Sequence, residues 1–468
     1  MTNKPLHLGA ARAGALEHAA EIVARAWKEF DHARNEEHLP SADLISRLQL
    51  PLPSQGMDVI KGLDWAAEVL DSSLAQSRPR YLAYIGSSGL EIGALADLLA
   101  HSYDINLALD ARGATLLNHQ TLSWLSEFIG FTFGGGAFTS GGTVSNITAL
   151  AAARESALSD VRKSGMSNQR PVVYCSQDAH YSVRRGIELL GIGSANLRSV
   201  PIDQKRKLSP HHLRAMIKDD LTAGRTPVAV IATGGTTLIG AIDPIEEISE
   251  ICRSYELWLH IDGAYGLPAA AIPRIAPFFK GIENADSASV DAHKWLFVPK
   301  ACSAVLVRDR NKLLNVFSHE EAYMPHDGSS VNAVDYTLEY SQPLRALKLW
   351  LAFSVHGANQ FRSAIIANLD QAQLLFDLAQ TNPNLETLPF RPELSIVPIR
   401  AVPTGVSDLN AFNTQLCTAI QSDGRVYLSP ATIDGNVWLR PCFTNFRTTT
   451  SDVLETFAVI DEMIEQLR

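Results

Sequence analysis

Residues 289–299 read SVDAHKWLFVP and place Lys294 beside a histidine in an otherwise apolar segment. Lysine is rarely buried unless its charge is paired or its amine takes part in chemistry. One interpretation is structural: the stem of Lys294 packs beside Trp295 while its ammonium group reaches water. The other is chemical: burial lowers the pKa of the amine, which then forms a Schiff base with an aldehyde. The rest of the chain must decide between them.

Two further segments carry polar residues where apolar runs end. Residues 257–262, LWLHID, form a β-rich run that ends at Asp262, and GAYG follows directly. Residues 134–150, GGGAFTSGGTVSNITAL, pass from glycines through a short strand-like piece into a helix-forming segment. Glycines before a helix start let main-chain N–H groups surround a phosphate, and the hydroxyls of Thr143 and Ser145 can add donors. Taken singly, these segments are equally explained by a helix cap or a structural turn.

Together the three segments indicate one cofactor. Pyridoxal phosphate requires a lysine for the imine, an acid that keeps the pyridine nitrogen protonated, and a phosphate-binding turn. Lys294, Asp262 and the glycine-rich segment supply these parts. Ligands of doubly wound sheets bind where strands run out, so we predict that these residues meet at one sheet edge.

The composition is that of an ordinary globular protein. The 468 residues are 46% hydrophobic and 19% charged, with a formal net charge of −10. No basic block exceeds the pentamer DQKRK at 203–207, so we expect no nucleic-acid-binding face. The five cysteines are dispersed without a C-x-x-C pair, which favours a reducing compartment and no disulfide framework. No metal-ligand spacing stands out, so no metal is expected.

The N-terminal segment and the hydropathy pattern bear on location. Residues 1–30 carry acidic residues within a helical pattern and lack the apolar core of a secretory signal. No apolar run approaches the length that spans a membrane. We therefore predict a soluble, cytoplasmic protein that has no membrane partner.

Hydrophobic periodicity predicts an α/β chain in three parts. Helical spacing predicts a helix over residues 14–30, and two prolines at 50–56 predict a linker. Short apolar runs separated by helical stretches predict βαβ units and a mainly parallel sheet; these runs are 171–176, 227–233, 257–262 and 302–308. A long helix over 344–357 precedes three strand-like runs, which favours a small α+β domain. The predicted parts are an N-terminal helical segment, a large cofactor domain and a small C-terminal domain, at 1–60, 61–350 and 351–468.

The motifs on this framework resemble one family. The His-Lys-Trp at 293–295, HIDGAYG at 260–266, ATGGTTLIGAIDP at 232–244 and LRALKLW at 344–350 are similar to motifs of the group II pyridoxal-phosphate-dependent amino-acid decarboxylases, which include aromatic-L-amino-acid and glutamate decarboxylases. The resemblance extends from about residue 50 to the end of the chain. It implies the aminotransferase-like fold (fold type I) and a homodimer with active sites at the subunit interface. The implied reaction is α-decarboxylation of an L-amino acid to an amine and CO₂, through a Lys294 aldimine and a quinonoid intermediate.

The resemblance also implies roles for individual residues. Lys294 anchors the cofactor, and Asp262 pairs with its pyridinium nitrogen. His180, in DAHYSVRRG, stacks on one face of the ring while Ala264 lies against the other. The remaining implied cofactor contacts are Val144 and Ser145 in the phosphate cup beside Thr143, Thr236 or Thr237 near the 3-hydroxyl, and His293 beside cofactor or substrate.

Three segments are implied to serve the substrate. Tyr323, in HEEAYMPHD at 319–327, matches the tyrosine of a mobile loop that protonates the carbanion carbon after CO₂ leaves. Arg440, in NVWLRPCF, matches an arginine on the substrate side, with a plain surface arginine as the alternative. Tyr84 and Ile85 lie in the stretch that matches the pocket entrance. The aromatic branch of the family has a second aromatic residue where this chain has Ile85, so the substrate class is left open.

The chain departs from the family pattern just before the His-Lys pair. The decarboxylases often carry Asn-Pro where this chain has Asp291 and Ala292. An ionised aspartate cannot donate a hydrogen bond to a phosphate and repels it, so we predict that Asp291 points elsewhere or meets an arginine. Alternative functions are an aldehyde-forming, decarboxylation-coupled oxidative deaminase, another lyase or transaminase of this fold, and a non-catalytic binding relative.

Overall fold

Two β-sheets organise the chain. The computed structural model describes residues 6–36, 39–108, 111–158, 160–166, 169–319 and 332–468. The strands are β1 Gly135–Thr139, β2 Pro171–Ser176, β3 Leu197–Val200, β4 Thr226–Thr233, β5 Trp258–Asp262, β6 Ser287–Asp291, β7 Ser303–Val307, β8 Leu385–Thr387, β9 Ile399–Ala401, β10 Pro430–Ile433 and β11 Asn436–Leu439.

Helices cover both faces of the larger sheet and surround the smaller one. They are α1 Arg12–Phe30, α2 Ala42–Leu48, α3 Val59–Asp71, α4 Glu91–Tyr103, α5 Gly113–Ile129, α6 Gly142–Ala157, α7 Val161–Ser164, α8 Tyr181–Leu189, α9 Pro210–Thr222, α10 Ile245–Ser254, α11 Ala292–Trp295, α12 Asn311–Phe317, α13 Ala346–Thr381, α14 Leu409–Asp423 and α15 Thr450–Leu467. In the part of the chain that the structure describes, no helix combines the length and apolar character needed to cross a membrane.

The larger sheet is the mainly parallel sheet that the apolar runs predict. Its strand order is β1-β7-β6-β5-β4-β2-β3. The strands from β6 to β3 run parallel, whereas β7 is antiparallel to both of its neighbours. Every residue of β5, β6 and β7 is buried. Burial on both faces explains why β5 and β7 are apolar runs in the sequence, whereas β6, with the sequence SASVD, was not predicted as a strand. The α/β, fold type I prediction is therefore confirmed.

Three parallel strands end at the same edge of this sheet. In the register, Thr233 at the end of β4 is paired with Asp262 at the end of β5, and Asp262 with Ser289 of β6. Asp291 ends β6, and α11 begins at the next residue. Asp262 and Lys294, which the sequence analysis singles out, thus both follow buried strands at one edge of the sheet.

The smaller sheet has its own core near the C-terminus. Its order is β10-β11-β9-β8, with all neighbours antiparallel, and α13, α14 and α15 pack against it. Leu82 from the predicted pocket-entrance stretch also belongs to this core. The predicted domain boundary at 350 lies within α13, whose main chain leaves helical geometry at Gly357 (φ 72°, ψ 153°).

One C-terminal strand begins later in the sequence than the apolar pattern predicts. The run GRVYLSP at 424–430 reads as a strand, but β10 starts only at Pro430. The reason is the tight connection to β11, in which Asp434 and Gly435 both have positive φ. Asp-Gly is the dipeptide that such two-residue hairpin turns favour, and it fixes the pairing to the residues on either side of it.

Candidate active site

The amine of Lys294 ends in an ion pair inside the protein. Helix α11 projects this side chain back towards the end of β6, and Nζ lies 2.9 Å from Oδ2 of Asp291. The Lys294 side chain is 23% exposed and that of Asp291 only 3%. Trp295 is fully buried and stacks on Tyr265 with 5.2 Å between ring centroids. The lysine therefore does not extend past Trp295 into water, and the structural interpretation of Lys294 is wrong.

Asp291 reverses the expected charge state of the amine. Burial alone lowers the pKa of Lys294, but the attraction and hydrogen bond of Asp291 outweigh it and raise that pKa above its ordinary value. Burial likewise raises the pKa of Asp291, and the charges of Lys294 and His293 more than offset it, so the pKa of this carboxyl is lowered. The prediction of a lysine with a lowered pKa is wrong, because its partner is a buried carboxylate. Of the two alternatives predicted for Asp291, that it points elsewhere or meets an arginine, the second is wrong, because its partner is Lys294.

Asp262 accepts hydrogen bonds from three neighbouring groups. Nδ2 of Asn146 lies 3.0 Å from Oδ2. On the other oxygen, the Ser289 hydroxyl and the main-chain N–H of Ala264 each lie 3.3 Å from Oδ1. An ionised carboxylate accepts at both oxygens and has no proton to offer. Three donors thus converge on the two oxygens of Asp262 and fix the orientation of its carboxyl group beside the cavity.

Asn146 connects Asp262 to a directed chain of hydrogen bonds that sequence reasoning missed. Its Oδ1 can only accept, so Nε2 of His260, at 3.0 Å, must carry the proton. Nδ1 of His260 then accepts from the Ser287 hydroxyl at 2.8 Å, and Nε1 of Trp258 donates to the same hydroxyl. Burial lowers the pKa of His260 to about 4, which keeps the ring neutral. The available signal was strand periodicity, since His260 precedes Asp262 by two and shares its face.

His180 is oriented by the start of a helix. It is the N-cap of α8, and its Nδ1 accepts from the main-chain N–H of Ser182 at 3.3 Å. The Ser182 hydroxyl, 2.9 Å from the same nitrogen, also accepts from Asn146. Burial lowers the pKa of His180. The imidazole therefore has a fixed orientation and carries no charge that would compete for Asp262.

These side chains surround one cavity of about 80 Å³. Six of the residues predicted for the site line it: Thr143, His180, Thr237, Asp262, Ala264 and Lys294. Seven lining residues were not predicted as site residues: Gly142, Asn146, Ser182, Thr233, Gly235, Tyr265 and Asp291. Of the two threonines between which the sequence could not choose, Thr237 lines the cavity.

Four predicted cofactor contacts lie outside the cavity lining: Val144, Ser145, Thr236 and His293. The hydroxyl of Ser145 is buried and bonds those of Thr139 and Ser303, each at 2.8 Å. Thr236 accepts from the main-chain N–H of Ala241, and Nδ1 of His293 lies within hydrogen-bond distance of the Cys302 main chain. Their roles towards the cofactor stay predictions.

The predicted substrate residues lie on a neighbouring segment. Arg440 is buried, and its guanidinium donates to the main-chain carbonyls of Tyr84, Thr237 and Leu238. Tyr84 is 60% exposed, with a positive φ of 54°, and Ile85 packs against the main core. Arg440 thus ties the predicted entrance to the cavity residue Thr237 and is not a surface arginine. Tyr323 lies outside the described residues.

A lysine, an ionised carboxylate and a neutral histidine around one cavity at the strand ends define a pyridoxal-phosphate enzyme of fold type I. The chain matches the pyridoxal-dependent decarboxylase conserved domain over residues 58–402. It is 30% identical to the aromatic-L-amino-acid decarboxylase of Bacillus atrophaeus over 455 residues, which cover 94% of this chain and 93% of that protein. The chain belongs to the pyridoxal-dependent decarboxylase family and is a pyridoxal-phosphate-dependent amino-acid decarboxylase.

Other relatives extend the range of activities and structures. A phenylacetaldehyde synthase of Petunia hybrida is 28% identical, over 77% of this chain and 76% of that protein. A crystal structure of Oryza sativa TDC with PLP and tryptamine superposes with a TM-score of 0.92 at 22% identity, covering 99% of each chain. Mouse CSAD superposes with a TM-score of 0.89 at 23% identity, covering 97% of this chain and 98% of that one. These two structures share the fold.

The residues of the cavity fit pyridoxal phosphate, except for one carboxylate that lies close to the expected phosphate position. Helix α6 starts at the cavity without a side-chain cap, so its first N–H groups are suited to a phosphate. Beside the same cavity, the hydroxyl of Thr233 is buried and has no hydrogen-bond partner among the residues that the structure describes. When bound, the cofactor supplies an aldehyde for Lys294 and a ring that withdraws electrons from the substrate. The exception is the carboxylate of Asp291, which lies next to the start of α6 and would repel a phosphate there.

Proposed function

We propose that this enzyme decarboxylates an aromatic L-amino acid in the cytoplasm as a homodimer. The carrying observation is that Lys294, Asp262 and His180 share one cavity at the strand ends of a chain 30% identical to an aromatic-L-amino-acid decarboxylase over almost its whole length. Other relatives that the chain resembles include tyrosine and tryptophan decarboxylases, and their activities support the same substrate class.

In this proposal Asp262 holds the positive charge on the ring nitrogen. Its three donors from Asn146, Ser289 and Ala264 stabilise the carboxylate, and burial at 5% exposure strengthens its attraction for a cation. The donor chain from Trp258 to Asn146 fixes the orientation of that carboxylate. With the cofactor bound, Asp262 would hold the ring nitrogen in its protonated form, and the ring would supply the electron withdrawal that loss of CO₂ requires.

Lys294, His180 and Tyr323 complete the chemistry. Lys294 provides the amine that binds the cofactor and exchanges with the incoming amino acid. The neutral imidazole of His180 and the methyl group of Ala264 line the cavity and keep water from the ring. Tyr323 delivers the proton to the α-carbon after CO₂ has left. Proton return by this loop makes the amine the product.

The positive charge of Arg440 favours the binding of an anionic ligand near the entrance of the cavity. Within the described residues its guanidinium contacts main-chain carbonyls and no carboxylate, so its charge is not neutralised. A positive charge that also orders Tyr84 and Thr237 attracts the carboxylate of an approaching amino acid. Arg440 is in this proposal a positioning residue of the entrance.

The substrate class is tested by direct assay. The purified holoenzyme is incubated separately with L-tryptophan, L-tyrosine, L-phenylalanine, L-glutamate and L-cysteine sulfinate, and CO₂ and the organic product are both quantified. The proposal predicts CO₂ from an aromatic substrate with an equal amount of amine. An aldehyde in place of the amine would favour the activity named for the Petunia relative. Turnover of the acidic substrates alone would contradict the aromatic assignment.

Exposed apolar side chains support the homodimer. Helix α4 presents Leu95, Leu98, Leu99 and Tyr103 to solvent, each between 42% and 78% exposed. Apolar surface concentrated on one helix is typical of a surface that pairs with a partner. Light scattering after size exclusion is expected to give about twice the chain mass of 51.0 kDa. A monomer at micromolar concentration would contradict this part of the proposal.

A further inference from the structure

Asp291 stands between the cofactor-binding lysine and the start of the helix suited to the phosphate. Its Oδ2 pairs with Nζ of Lys294 at 2.9 Å. A methyl group placed on Gly142, the first residue of α6, would lie 2.9 Å from Oδ2 and 3.1 Å from Oδ1. The carboxylate is therefore in close contact with the turn at which an anion would bind.

The second oxygen of this carboxylate is unused. Oδ1 of Asp291 is buried and has no partner of good hydrogen-bond geometry in the described part of the chain, and the nearby Ser303 hydroxyl only helps to lower the pKa of the carboxyl group. Leaving a buried, charged oxygen unpaired costs more than leaving a neutral one unpaired. Aspartate at 2% exposure with one oxygen unpaired next to a helix N-terminus suggests that a ligand group completes its contacts.

The charges around Asp291 come from several elements. Lys294 and His293 lie on α11, with Nε2 of His293 3.8 Å from Oδ2. Asp262, at the end of β5, and Cys442, after β11, contribute to raising the pKa of Lys294. Asp291 acts to raise the pKa of His180, at the start of α8, against the larger effect of burial. Lys294 provides the close positive charge, and the cofactor engages that same lysine. Cofactor binding thus changes the partner that keeps Asp291 ionised.

We propose that Asp291 takes up one proton when the cofactor binds and positions the phosphate by donating a hydrogen bond from its carboxyl group. A phosphate monoester carries nearly two negative charges at neutral pH, and an ionised carboxylate beside it would repel it. A protonated carboxyl supplies the donor that the position otherwise lacks. Asp291 is then a positioning residue whose proton sets how strongly the cofactor is held.

The proton balance is simple. One O–H bond forms on Asp291, and the proton comes from the solvent. Covalent capture of the aldehyde by Lys294 releases one water, and its nitrogen keeps the proton that it carried in the ion pair. The cofactor keeps its phosphate charge. Binding therefore removes one more proton from solution than it would without Asp291.

The test compares cofactor binding by the apoenzyme and by Asp291→Asn. Asparagine has nearly the same shape and a permanent donor, so it removes the proton requirement at this position together with the ion pair to Lys294. The dissociation constant for pyridoxal phosphate is measured from pH 6 to 8. We expect the ratio of wild-type to variant constants to rise about tenfold per pH unit, as linkage to one proton requires. Pyridoxal, which has no phosphate, should show no such pH-dependent ratio.

Two readouts on the wild-type protein keep the proposal testable if the variant folds poorly. A pH-indicator dye in weak buffer should report uptake of about one more proton with pyridoxal phosphate than with pyridoxal. The ³¹P resonance of the bound cofactor should keep the shift of the dianion. Equal proton uptake with both ligands, or a ³¹P shift that indicates protonation of the phosphate itself, would overturn the proposal. So would a pH-independent ratio of binding constants. None of these results depends on which amino acid is the substrate.

Discussion

Nδ2 of Asn146 donates to Oδ2 of Asp262 at 3.0 Å, and this contact joins the carboxylate to the interior of the sheet. The same amide accepts from His260 through its other end. Asn146 is fully enclosed, with 1% of its surface exposed, so neither contact competes with water. The direction of every hydrogen bond from Trp258 to Asp262 follows from this residue.

Replacing Asn146 by alanine should weaken both cofactor binding and turnover. The change leaves Nε2–H of His260 without an acceptor and removes a donor from Asp262. A loss of a buried partner of this kind costs about 1–3 kcal/mol, so we expect cofactor affinity to fall by about ten- to a hundredfold. Equilibrium titration with pyridoxal phosphate measures it. Asn359→Ala, on the exposed surface, is the matched control, and equal effects of the two variants would refute the role of Asn146.

The ion pair of Lys294 and Asp291 should appear as a coupling in the stability of the apoenzyme. Asp291→Ala leaves a buried ammonium unpaired and should lower the free energy of unfolding by about 3 kcal/mol. The double variant with Lys294→Ala removes both charges and should lose less than Asp291→Ala alone. Denaturant unfolding of the apoenzyme at pH 7 measures all three. Strictly additive losses would show that the two charges do not interact.

The same coupling has a defined pH range. The pKa of Asp291 is lowered from 3.8, so its contribution is present above that value and is lost as the pH falls through the folded-state pKa. The pKa of Lys294 is raised from 10.5, so its contribution is present below that value and is lost as the pH rises through the folded-state pKa. The stability difference between wild type and Asp291→Ala should therefore be largest near neutral pH and decrease in acid.

The turn that begins α6 should tolerate a side chain at one glycine and not at its neighbour. A Cβ on Gly142 would meet Asp291 at 2.9 Å and Cβ of Ala264 at 3.0 Å, whereas one on Gly141 would meet nothing within 4 Å. Overpacking of this kind costs about 1–3 kcal/mol. We expect Gly142→Ala to lower the unfolding free energy of the apoenzyme by that amount and Gly141→Ala to leave it nearly unchanged. The reverse order would mean that Asp291 does not lie against Gly142.

Tyr323→Phe should change the product and not the first step. Phenylalanine cannot return a proton to the α-carbon, so CO₂ release should continue while amine formation falls by at least about a hundredfold, the size of a typical general-acid contribution. Parallel quantification of CO₂, amine and aldehyde measures the partition. Tyr336→Phe, a buried tyrosine outside the cavity lining, controls for loss of a hydroxyl. Unchanged amine formation in Tyr323→Phe would remove this tyrosine from the mechanism.

The sequence was informative where one physical signal dominated. Continuous apolar runs predicted β2, β4, β5 and β7 within a residue or two, because strands buried on both faces have no polar alternation. The placement of Lys294, Asp262 and His180 around one cavity also follows from the motifs, since the carboxyl ends of neighbouring parallel strands meet at one sheet edge.

The sequence could not give the charge state of the site. The apolar neighbours of Lys294 in the sequence predict a desolvated amine with a lowered pKa. In the structure Asp291, one helical turn away, raises the pKa of Lys294 instead. The donor chain through Asn146 joins residues 114 positions apart in the sequence, and such pairing depends on the strand order. The late start of β10 could not be predicted from the apolar pattern, because it depends on the Asp-Gly turn that joins β10 to β11.

The absorbance spectrum of the purified protein with and without Lys294→Ala tests the central claim most directly. Wild-type protein loaded with pyridoxal phosphate should show a band at about 420 nm from cofactor bound to the lysine, and borohydride should fix the cofactor to residue 294. Lys294→Ala should lack this band, bind the cofactor reversibly and release no CO₂ from any amino acid. A variant that retained the band and the activity would place the cofactor on another residue and contradict the account.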